Sequence, residues 1–319
     1  LDDTYMLICN GEIYNYKELA AKYDFNYETD SDCESIIHMY KAHGIARTLQ
    51  EIDGVFAFVL VDLSGPHPTL FVARDPFGVR PLFECAFDES VIFASTMKMF
   101  HSLLEDIDTE PRMLRQFNPG TYHEYGFNEE QKRWIPKDRP HSYFTLGNIL
   151  CKQLGYKDSL EVIRSNLTEA VRKRVVATDR PIACLLSGGL DSSLICSIVV
   201  KLWKELGHTT PIETYSIGMP GSVDLKYAKR VADFLGTDHH EVVVMEKEFI
   251  NTIPRVINVC ETYDTTTIRA SVGNYLISKF ISNHSEAKVI FNGDGSDEVS
   301  GGYLYFHSAP NDEAFDIEC

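Results

Sequence analysis

The stretch PIACLLSGGLDSSLICSIVV, residues 181–200, decides the fold of the second half of the chain. An apolar run of strand length stops at Ser187, a loop of small residues follows, and apolar residues then resume. A loop that leaves a buried strand and enters a helix presents free backbone N–H groups and the positive end of a helix dipole. The pattern therefore predicts a phosphate or pyrophosphate site at residues 187–193. A simple strand-to-helix turn, with Asp and Ser as helix caps, is the alternative.

A second segment, VIFNGDGSDEVSGGY at residues 289–303, is again a strand that runs into a glycine-rich loop. It crowds Asp294, Asp297 and Glu298 together, which is unfavourable without solvent, a cation or a basic partner. A solvated acidic turn is the alternative here. Two such loops in one α/β domain predict one ligand site, because ligands bind at the carboxyl ends of parallel strands.

The first of these loops is not a Walker A motif, because no Gly-Lys-Ser/Thr sequence follows it. Asp191 is unsuited to direct contact with a phosphate. A carboxylate can, however, hold Mg²⁺ while the metal binds phosphate oxygens. The loop therefore predicts a magnesium-dependent phosphate site.

Strands and helices alternate throughout the second half of the chain. Apolar spacing predicts helices at 158–177, 192–206, 224–235 and 270–283, and strands at 182–186, 212–218, 240–244 and 287–293. Such alternation predicts an α/β domain with a doubly wound parallel sheet.

The first half, to about residue 137, has short runs rich in β-branched and aromatic residues. Strands are predicted in YMLICNGEIYNY, GVFAFVLVD, TLFVARD, VIFAS and GTYHEY, and one capped helix from Asp30 to Gly44. Strands in quick succession with few helices predict an antiparallel α+β domain. Residues 138–157 show weak periodicity and are predicted to be a linker between this domain and a second one at 158–319.

Composition and charge exclude several classes of protein. The net charge of -17 argues against a non-specific nucleic-acid binder, which needs a basic face. No apolar run approaches the roughly 20 residues of a membrane span, so no membrane association is expected. The 8 cysteines include no CxxC pair, and we expect buried free thiols in a reducing, cytoplasmic compartment.

The motifs resemble those of one enzyme family. LLSGGLDSS is similar to the pyrophosphate loop of the N-type ATP pyrophosphatases. Together with ETYDTTTIRAS and FNGDGSDEVSGGYLYFHSAPN, it resembles class B, glutamine-hydrolysing asparagine synthetases. In the first half, YMLICNGEIYNYKEL and VARDPFGVRPLF are similar to that family's class II glutamine amidotransferase domain. The resemblance implies stacked antiparallel sheets with helices outside for residues 1–137, and an ATP pyrophosphatase domain for residues 158–319.

The resemblance also implies two linked reactions. The first domain would hydrolyse glutamine, and the ammonia would reach the second domain through a tunnel. There ATP and Mg²⁺ would convert aspartate to β-aspartyl-AMP, and ammonia would displace AMP to give asparagine. A homodimer is common in the family.

Roles for individual residues follow from the same resemblance. Pyrophosphate and metal would be held by Ser187, Gly188, Gly189, Asp191, Ser192 and Ser193. Leu186 and Ile217 would pack on adenosine, Asn292 and Gly293 would touch the nucleotide, and Asp297 is a second Mg²⁺ ligand. Thr266, Thr267, Arg269 and Asp294 are the catalytic candidates on the aspartate side, although Arg269 could instead form a surface salt bridge. Asn10 and Gly11 match oxyanion-hole positions, and Glu12 and Asp32 would bind the glutamine amino group, unless Asn-Gly here forms a hairpin turn.

Some features depart from the family pattern. The loop reads NGDGSDE where SGEGSDE is usual, so Asp294 is one methylene shorter and we expect a working but slower site. The chain begins at Leu1, and we expect the nucleophilic N-terminal cysteine and the C-terminal ATP contacts to be missing from it. Cys9 is predicted to be a core thiol rather than a substitute nucleophile. On this expectation the chain alone would release no glutamate from glutamine.

Two other functions are compatible with the same motifs. A β-lactam-synthetase-like enzyme would share SGGLDSS but activate a larger carboxylate and lack a working glutaminase. A non-catalytic nucleotide-binding remnant would bind ATP without turnover. TTIRAS and the intact NGE favour the asparagine synthetase interpretation over the first.

Overall fold

The computed structural model describes residues 4–87, 90–104, 113–145 and 155–318. The chain divides into two compact units between residues 153 and 154. Part of the predicted linker, residues 146–154, lies outside the described residues. His141 and Ser142, within the same predicted linker, form a short strand that pairs with the first unit.

The first unit contains two antiparallel sheets. Its strands are β1 (Tyr5–Ile13), β2 (Gly54–Asp62), β3 (Thr69–Arg74), β4 (Phe83–Ala86), β5 (Val91–Ala94), β6 (Met113–Gln116), β7 (Thr121–Asn128), β8 (Arg133–Pro136) and β9 (His141–Ser142). The larger sheet has the order β1-β2-β3-β7-β8, with β9 also beside β7, and the smaller has the order β5-β4-β6. All of the pairings in both sheets are antiparallel, as the sequence predicts.

Strand β2 shows how the larger sheet is buried on both faces. Phe56, Phe58 and Leu60 pack into a core with the first two helices, α1 (Tyr16–Tyr23) and α2 (Glu34–Glu51). The intervening residues of β2, from Ala57 to Val61, face a second core that includes Leu82 and Val91 next to the smaller sheet. Because side chains alternate along a strand, one run of apolar residues fills both cores.

Two local predictions for the first unit need correction. The helix predicted at 30–44 begins at Glu34, and Gly44 at φ 74° interrupts it before helical structure resumes as far as Glu51. The glycine does end the first helical segment, but without ending the helical region. The hairpin alternative for Asn10-Gly11 is wrong, because both residues lie inside β1 and pair with Ala57 and Phe56.

The second unit alternates helices and strands in the predicted manner. Its elements follow α3 (Lys98–Leu104) of the first unit and are α4 (Tyr156–Ala177), β10 (Ile182–Leu185), α5 (Leu190–Glu205), β11 (Glu213–Gly218), α6 (Val223–Leu235), β12 (Asp238–Val243), α7 (Glu246–Cys260), α8 (Thr265–His284), β13 (Val289–Phe291), α9 (Ser296–Ser300), a 3-10 helix (Leu304–Ser308) and α10 (Asp312–Glu318). The sheet order is β12-β11-β10-β13, and every pairing is parallel. The prediction of a parallel α/β sheet is therefore confirmed.

Helices cover both faces of this parallel sheet. On one face, Cys184 and Leu186 share a core with residues of α4, α5 and α6, such as Val171, Val199 and Ala228. On the other face, Ala183 and Tyr215 pack with Ile277 and Ile281 of α8. The strand order reverses between β10 and β13, and in open α/β sheets this switch point is where ligands bind. Within the described residues, no helix has the length and apolarity needed to span a membrane.

Candidate functional site

A cavity of about 430 Å³ lies at the carboxyl ends of β10, β11 and β13. Its lining includes the predicted residues Leu186, Ser187, Gly189, Asp191, Ser192, Ile217, Asn292, Gly293, Asp294 and Asp297. The rest of the lining is Leu185, Tyr215, Ser216, Asp224, Ala270, Asn274, Ile277, Gly295, Ser296, Glu298 and Tyr303. The two glycine loops singled out in the sequence thus face one cavity at the switch point of the sheet.

The first loop is held by its own serine hydroxyls. Ser187 Oγ and Ser192 Oγ share a hydrogen bond of 2.8 Å. The backbone nitrogen of Ser187 donates to Ser192 Oγ at 3.2 Å, and that of Gly189 donates to Ser187 Oγ at 3.2 Å. The N-cap of α5 is Gly189, without a side-chain cap, so the alternative in which Asp and Ser only cap the helix is not supported.

Two glycines allow the loop to pack tightly. A Cβ on Gly188, at φ 80°, would lie 2.5 Å from the backbone nitrogen of Ala228 in α6. A Cβ on Gly293 would lie 2.6 Å from the backbone nitrogen of Ser192. Side chains at either position would push the loop away from α6 or the two loops away from each other.

The second loop is acidic, and polar side chains organise it. Asn292 Nδ2 donates to Asp294 Oδ2 at 3.1 Å, and Ser296 Oγ donates to Asp191 Oδ1 of the first loop at 3.1 Å. The Tyr303 hydroxyl donates to Glu298 Oε1. This hydrogen bond lowers the pKa of Glu298 and raises the pKa of Tyr303 to about 12. Glu298 is therefore a carboxylate, and Tyr303 a neutral phenol, over the physiological pH range.

The carboxylates are chemically suited to a hard divalent cation. Asp191 and Asp297 line the same cavity from the two loops. Among the residues that the structure describes, no group of three or more His, Cys, Asp or Glu side chains is close enough to hold a metal ion. Mg²⁺ commonly takes only one or two protein carboxylates and completes its shell with phosphate oxygens and water. The donor set fits a cation that arrives with a phosphate ligand.

The α8 candidates lie outside the cavity lining. Thr266, Thr267 and Arg269 are exposed on the first turns of this helix. The backbone nitrogen of Thr267 donates to Asp264 Oδ2 at 2.8 Å, which caps the helix. Within the described residues Arg269 forms no ion pair, so the surface salt-bridge alternative is not seen in this part of the chain. Gly188 in the first loop and Ser193 in the first turn of α5 do not line the cavity, and within residues 155–318 the buried Ser193 Oγ has no hydrogen-bond partner.

Several cavity residues were missed by sequence reasoning. Asp224 lies in the first turn of α6, and Asn274 lies on α8 between Ala270 and Ile277. Asp224 could have been found, because the helix that follows β11 begins at the same edge of the sheet. Asn274 could have been found from the helical spacing of 270, 274 and 277.

Ser216 belongs to a small polar network behind the cavity. Its Oγ lies 3.1 Å from His239 Nε2, and His239 Nδ1 lies 2.9 Å from Thr214 Oγ1. Thr214 Oγ1 in turn lies 2.9 Å from Thr237 Oγ1. Burial lowers the pKa of His239, so the ring is neutral at physiological pH and both nitrogens are engaged by hydroxyls.

In the first unit, the four predicted glutamine-binding residues lie near the end of β1. Asn10 Nδ2 donates to Ser95 Oγ at 3.3 Å, and Glu12 Oε1 lies 3.7 Å from Arg80 Nη2. Asp32 Oδ2 accepts from the backbone nitrogen of Ile13 at 2.5 Å. The structure therefore brings Asp32, which is distant in sequence, beside the NGE segment.

Cys9 lies in the same strand and packs, half-buried, against the core beneath it. A hydrogen bond with Cys33, together with burial, raises the pKa of its thiol well above the usual range. A thiol that does not ionise is a poor nucleophile. This agrees with the expectation that Cys9 is structural.

Comparisons with known proteins match both units. A family model described as asparagine synthase matches residues 162–317, and one described as a glutamine amidotransferase domain matches residues 1–102. The chain is 42% identical over 320 residues to the glutamine-hydrolysing asparagine synthetase of Gallus gallus, covering 97% of the chain and 56% of that protein. It is 41% identical over 333 residues to the same enzyme of Mesocricetus auratus, covering 98% of the chain and 57% of that protein. The chain thus spans somewhat more than half the length of these relatives.

A similarity to solved structures is weaker. The glutamine-dependent NAD+ synthetase of Acinetobacter baumannii aligns with a TM-score of 0.34 and 15% identity, over 61% of this chain and 34% of that one. A likeness at this level adds nothing to what the strand order already shows.

Proposed function

The chain belongs to the glutamine-hydrolysing asparagine synthetase family, and we propose that its second unit uses ATP to activate the side-chain carboxylate of aspartate for amidation. The observation that carries this proposal is the meeting of the SGGLDSS and NGDGSDE loops in one cavity at the switch point of the parallel sheet. A carboxylate is a poor acyl donor, and its conversion to an acyl-adenylate supplies a good leaving group. The product after attack by ammonia would be asparagine.

The first loop is suited to the departing pyrophosphate. Its backbone N–H groups lie at the N-terminus of α5, where the helix dipole favours negative charge. Ser187 and Ser192 already hold each other in place, so their hydroxyls need little reorganisation to donate to phosphate oxygens. Preorganised donors of this kind stabilise charge that develops during the reaction.

The two loops are also suited to Mg²⁺. Asp191 and Asp297 would be its protein ligands, as both line the cavity and Mg²⁺ prefers carboxylate oxygens. When bound, the ion would neutralise phosphate charge. Ser296 orients Asp191 by a hydrogen bond and so fixes the direction of one carboxylate.

On the aspartate side we assign Asp294, Arg269, Thr266 and Thr267. Asp294 lines the cavity, and its carboxylate is oriented by Asn292. Arg269 is exposed near the start of α8, where a guanidinium could reach an incoming carboxylate. This part of the assignment rests on the family resemblance.

We further propose that the first unit, residues 1–137, has the class II amidotransferase fold and binds glutamine in the full protein. Asn10 and Gly11 would stabilise an oxyanion, and Glu12 and Asp32 would bind the amino group. The proximity of Asp32 to β1 supports this set, because residues distant in sequence come together there. The second domain, residues 158–319, would receive the ammonia.

The test is release of pyrophosphate by the purified full-length protein from ATP, Mg²⁺ and aspartate, with ammonium as the nitrogen source. We expect release that depends on aspartate and falls at least tenfold in Asp191→Asn. Asp179→Asn, which alters an exposed carboxylate outside the cavity, is the matched control and should behave as the wild type.

The outcomes separate the competing functions. ATP binding without aspartate-dependent release would indicate a non-catalytic nucleotide-binding protein. Release that depends on a larger carboxylate substrate, and not on aspartate, would indicate a β-lactam-synthetase-like enzyme. Absence of ATP binding would contradict the whole proposal for the second unit.

A further inference from the structure

The end of the cavity between β11 and α8 differs in character from the rest. Ile217 of β11 and Ala270 and Ile277 of α8 line it with apolar atoms. The acidic residues of the second loop instead follow β13, and β10 separates β13 from β11 in the sheet. A charged ligand group suits the loops, whereas a flat and uncharged ring suits the apolar end.

One neutral side chain at this end can both donate and accept. Asn274 lines the cavity from α8, is exposed, and has no hydrogen-bond partner for its amide within residues 155–318. The other neutral polar side chains there are already engaged, Ser216 with His239 and the Tyr215 hydroxyl with Glu213 Oε2. Asp224 also lines the cavity, but a carboxylate only accepts hydrogen bonds.

The residue before Asn274 shows how near α8 lies to β11. A Cβ on Gly273 would lie 3.9 Å from Ile217 Cγ2, so the helix passes directly against the end of β11. Asn274 follows immediately on this closely packed turn. Its amide therefore stands beside the apolar surface on which a ring would rest.

We infer that Asn274 recognises the adenine base, with its amide oxygen accepting from the exocyclic amino group N6 and its amide nitrogen donating to N7. This inference deepens the proposed function and rests on it. An Asn side chain matches the N6/N7 edge of adenine in two hydrogen bonds. Guanine presents two acceptors at the same edge, O6 and N7. An amide held in this orientation can therefore form only one hydrogen bond with guanine, from its nitrogen to N7. Asn274 is then a specificity-determining residue for ATP.

Asn274 is less suited to the other ligands of the proposed reaction. Pyrophosphate and the carboxylates of aspartate are negatively charged, and the apolar surface, the neutral Asn274 amide and the Asp224 carboxylate would not stabilise those charges. Nothing in the proposed adenylation requires a proton transfer at this position. Base recognition is the task that uses both hydrogen-bonding atoms of the amide.

The test compares the binding of ATP with that of 7-deaza-ATP, in which a C–H group replaces N7. Calorimetry of the full protein with Mg²⁺ gives the two dissociation constants and their ratio. We expect the wild type to bind ATP about tenfold more tightly than 7-deaza-ATP, and Asn274→Ala to bind the two about equally. Asn283→Ala, which changes an exposed asparagine on the same helix outside the cavity, should keep the wild-type ratio.

A second variant separates loss of base recognition from loss of the folded structure. Asn274→Asp has nearly the same shape but cannot donate to N7, so it should also lose the preference for ATP over 7-deaza-ATP. A wild type that does not distinguish the two nucleotides, or a preference that survives in both variants, would overturn the inference alone. A wild type that binds neither nucleotide would overturn the proposed function as well.

Discussion

The two loops that line the cavity follow neighbouring parallel strands, yet they are held by different means. The loop after β10 is closed by its own serines and packs against α6 at Gly188. The loop after β13 contains Asp294, Asp297 and Glu298 within a few residues, and single polar contacts from Asn292, Ser296 and Tyr303 organise it. The first loop is held in shape by hydrogen bonds and packing, whereas the second loop is distinguished by its cluster of carboxylates.

The difference indicates that the two loops have different roles in binding the ligand. A cradle for pyrophosphate must be preorganised, because donors that reorganise during the reaction stabilise it less. An acidic loop can gain its final geometry when a cation removes the repulsion between its carboxylates. Substitutions that alter packing should therefore damage the first loop most, and, apart from Asp191, substitutions that alter carboxylates should mainly affect the second.

The largest effect is expected for Gly188→Ala. The added Cβ would lie 2.5 Å from backbone atoms of Tyr227 and Ala228, and the backbone at φ 80° disfavours any side chain. Steric overlap and left-handed strain together should lower the free energy of unfolding by about 2 to 5 kcal/mol. Urea denaturation of the purified protein measures this change.

Gly207→Ala is the matched control for that experiment. Gly207 has φ 87°, but no atom lies within 4 Å of its Cβ position. It should lose only about 1 to 2 kcal/mol from the left-handed conformation. Equal losses for the two variants would show that the contact with α6 does not hold the first loop.

A somewhat smaller effect is expected for Gly293→Ala. Its Cβ would lie 2.6 Å from the nitrogen of Ser192 and 2.7 Å from the carbonyl carbon of Asp191, so the loops would have to separate. We expect a loss of about 1 to 3 kcal/mol in stability and weaker ATP binding, measured by denaturation and calorimetry. Gly65→Ala, whose nearest atom is 3.8 Å away, should change neither. Unchanged ATP affinity in Gly293→Ala would mean that the loops bind independently.

Asp294→Glu tests the second loop. Asn292 orients the Asp294 carboxylate at 3.1 Å, but the shorter side chain reaches one methylene less far into the cavity. We expect aspartate-dependent pyrophosphate release to rise about tenfold, because small displacements of a reacting group have large effects on rate. Asp312→Glu, an exposed change outside the cavity, serves as the control. An unchanged rate would show that the loop already places Asp294 correctly.

The sequence predicted the parallel sheet well because each strand is a compact apolar run next to an amphipathic helix. It missed α7, since Pro254 lies within this helix and interrupts the usual helical signal. The short helices α1 and α3 were also missed, although neither contains proline, because one or two turns give too few apolar positions to establish a helical period.

The site was predicted as far as it lies directly after a strand. Glycines and acids at residues 187–193 and 292–298 were found because they follow apolar runs. Asn274 and Tyr303 were missed because packing of α8 and of the chain after α9, rather than a local motif, brings them to the cavity. The catalytic candidates on α8 were predicted from the motif resemblance alone. The structure places Thr266 one turn before the lining residue Ala270, and Thr267 and Arg269 also lie outside the lining.

The smallest expected effect concerns the hydrogen bond from Tyr303 to Glu298. This bond lowers the pKa of Glu298, so its contribution to stability is present above the ordinary carboxyl pKa and is lost as the pH falls through the lowered value. In Tyr303→Phe the pKa of Glu298 should rise towards its ordinary value, and wild type and variant should become equally stable in acid. Carbon NMR titration of Glu298 measures the pKa directly.

Asp264 provides an internal reference in the same spectra. Its pKa is lowered by the backbone N–H of Thr267 at the start of α8, and Tyr303→Phe should leave it unchanged. A Glu298 pKa that does not move would mean that the acidic loop is not organised by this contact. Because Glu298 is fully exposed, any change in stability should be small even when the pKa moves. The ionisation of Glu298 can therefore change with little effect on the free energy of unfolding. This property suits an acidic loop that binds a cation.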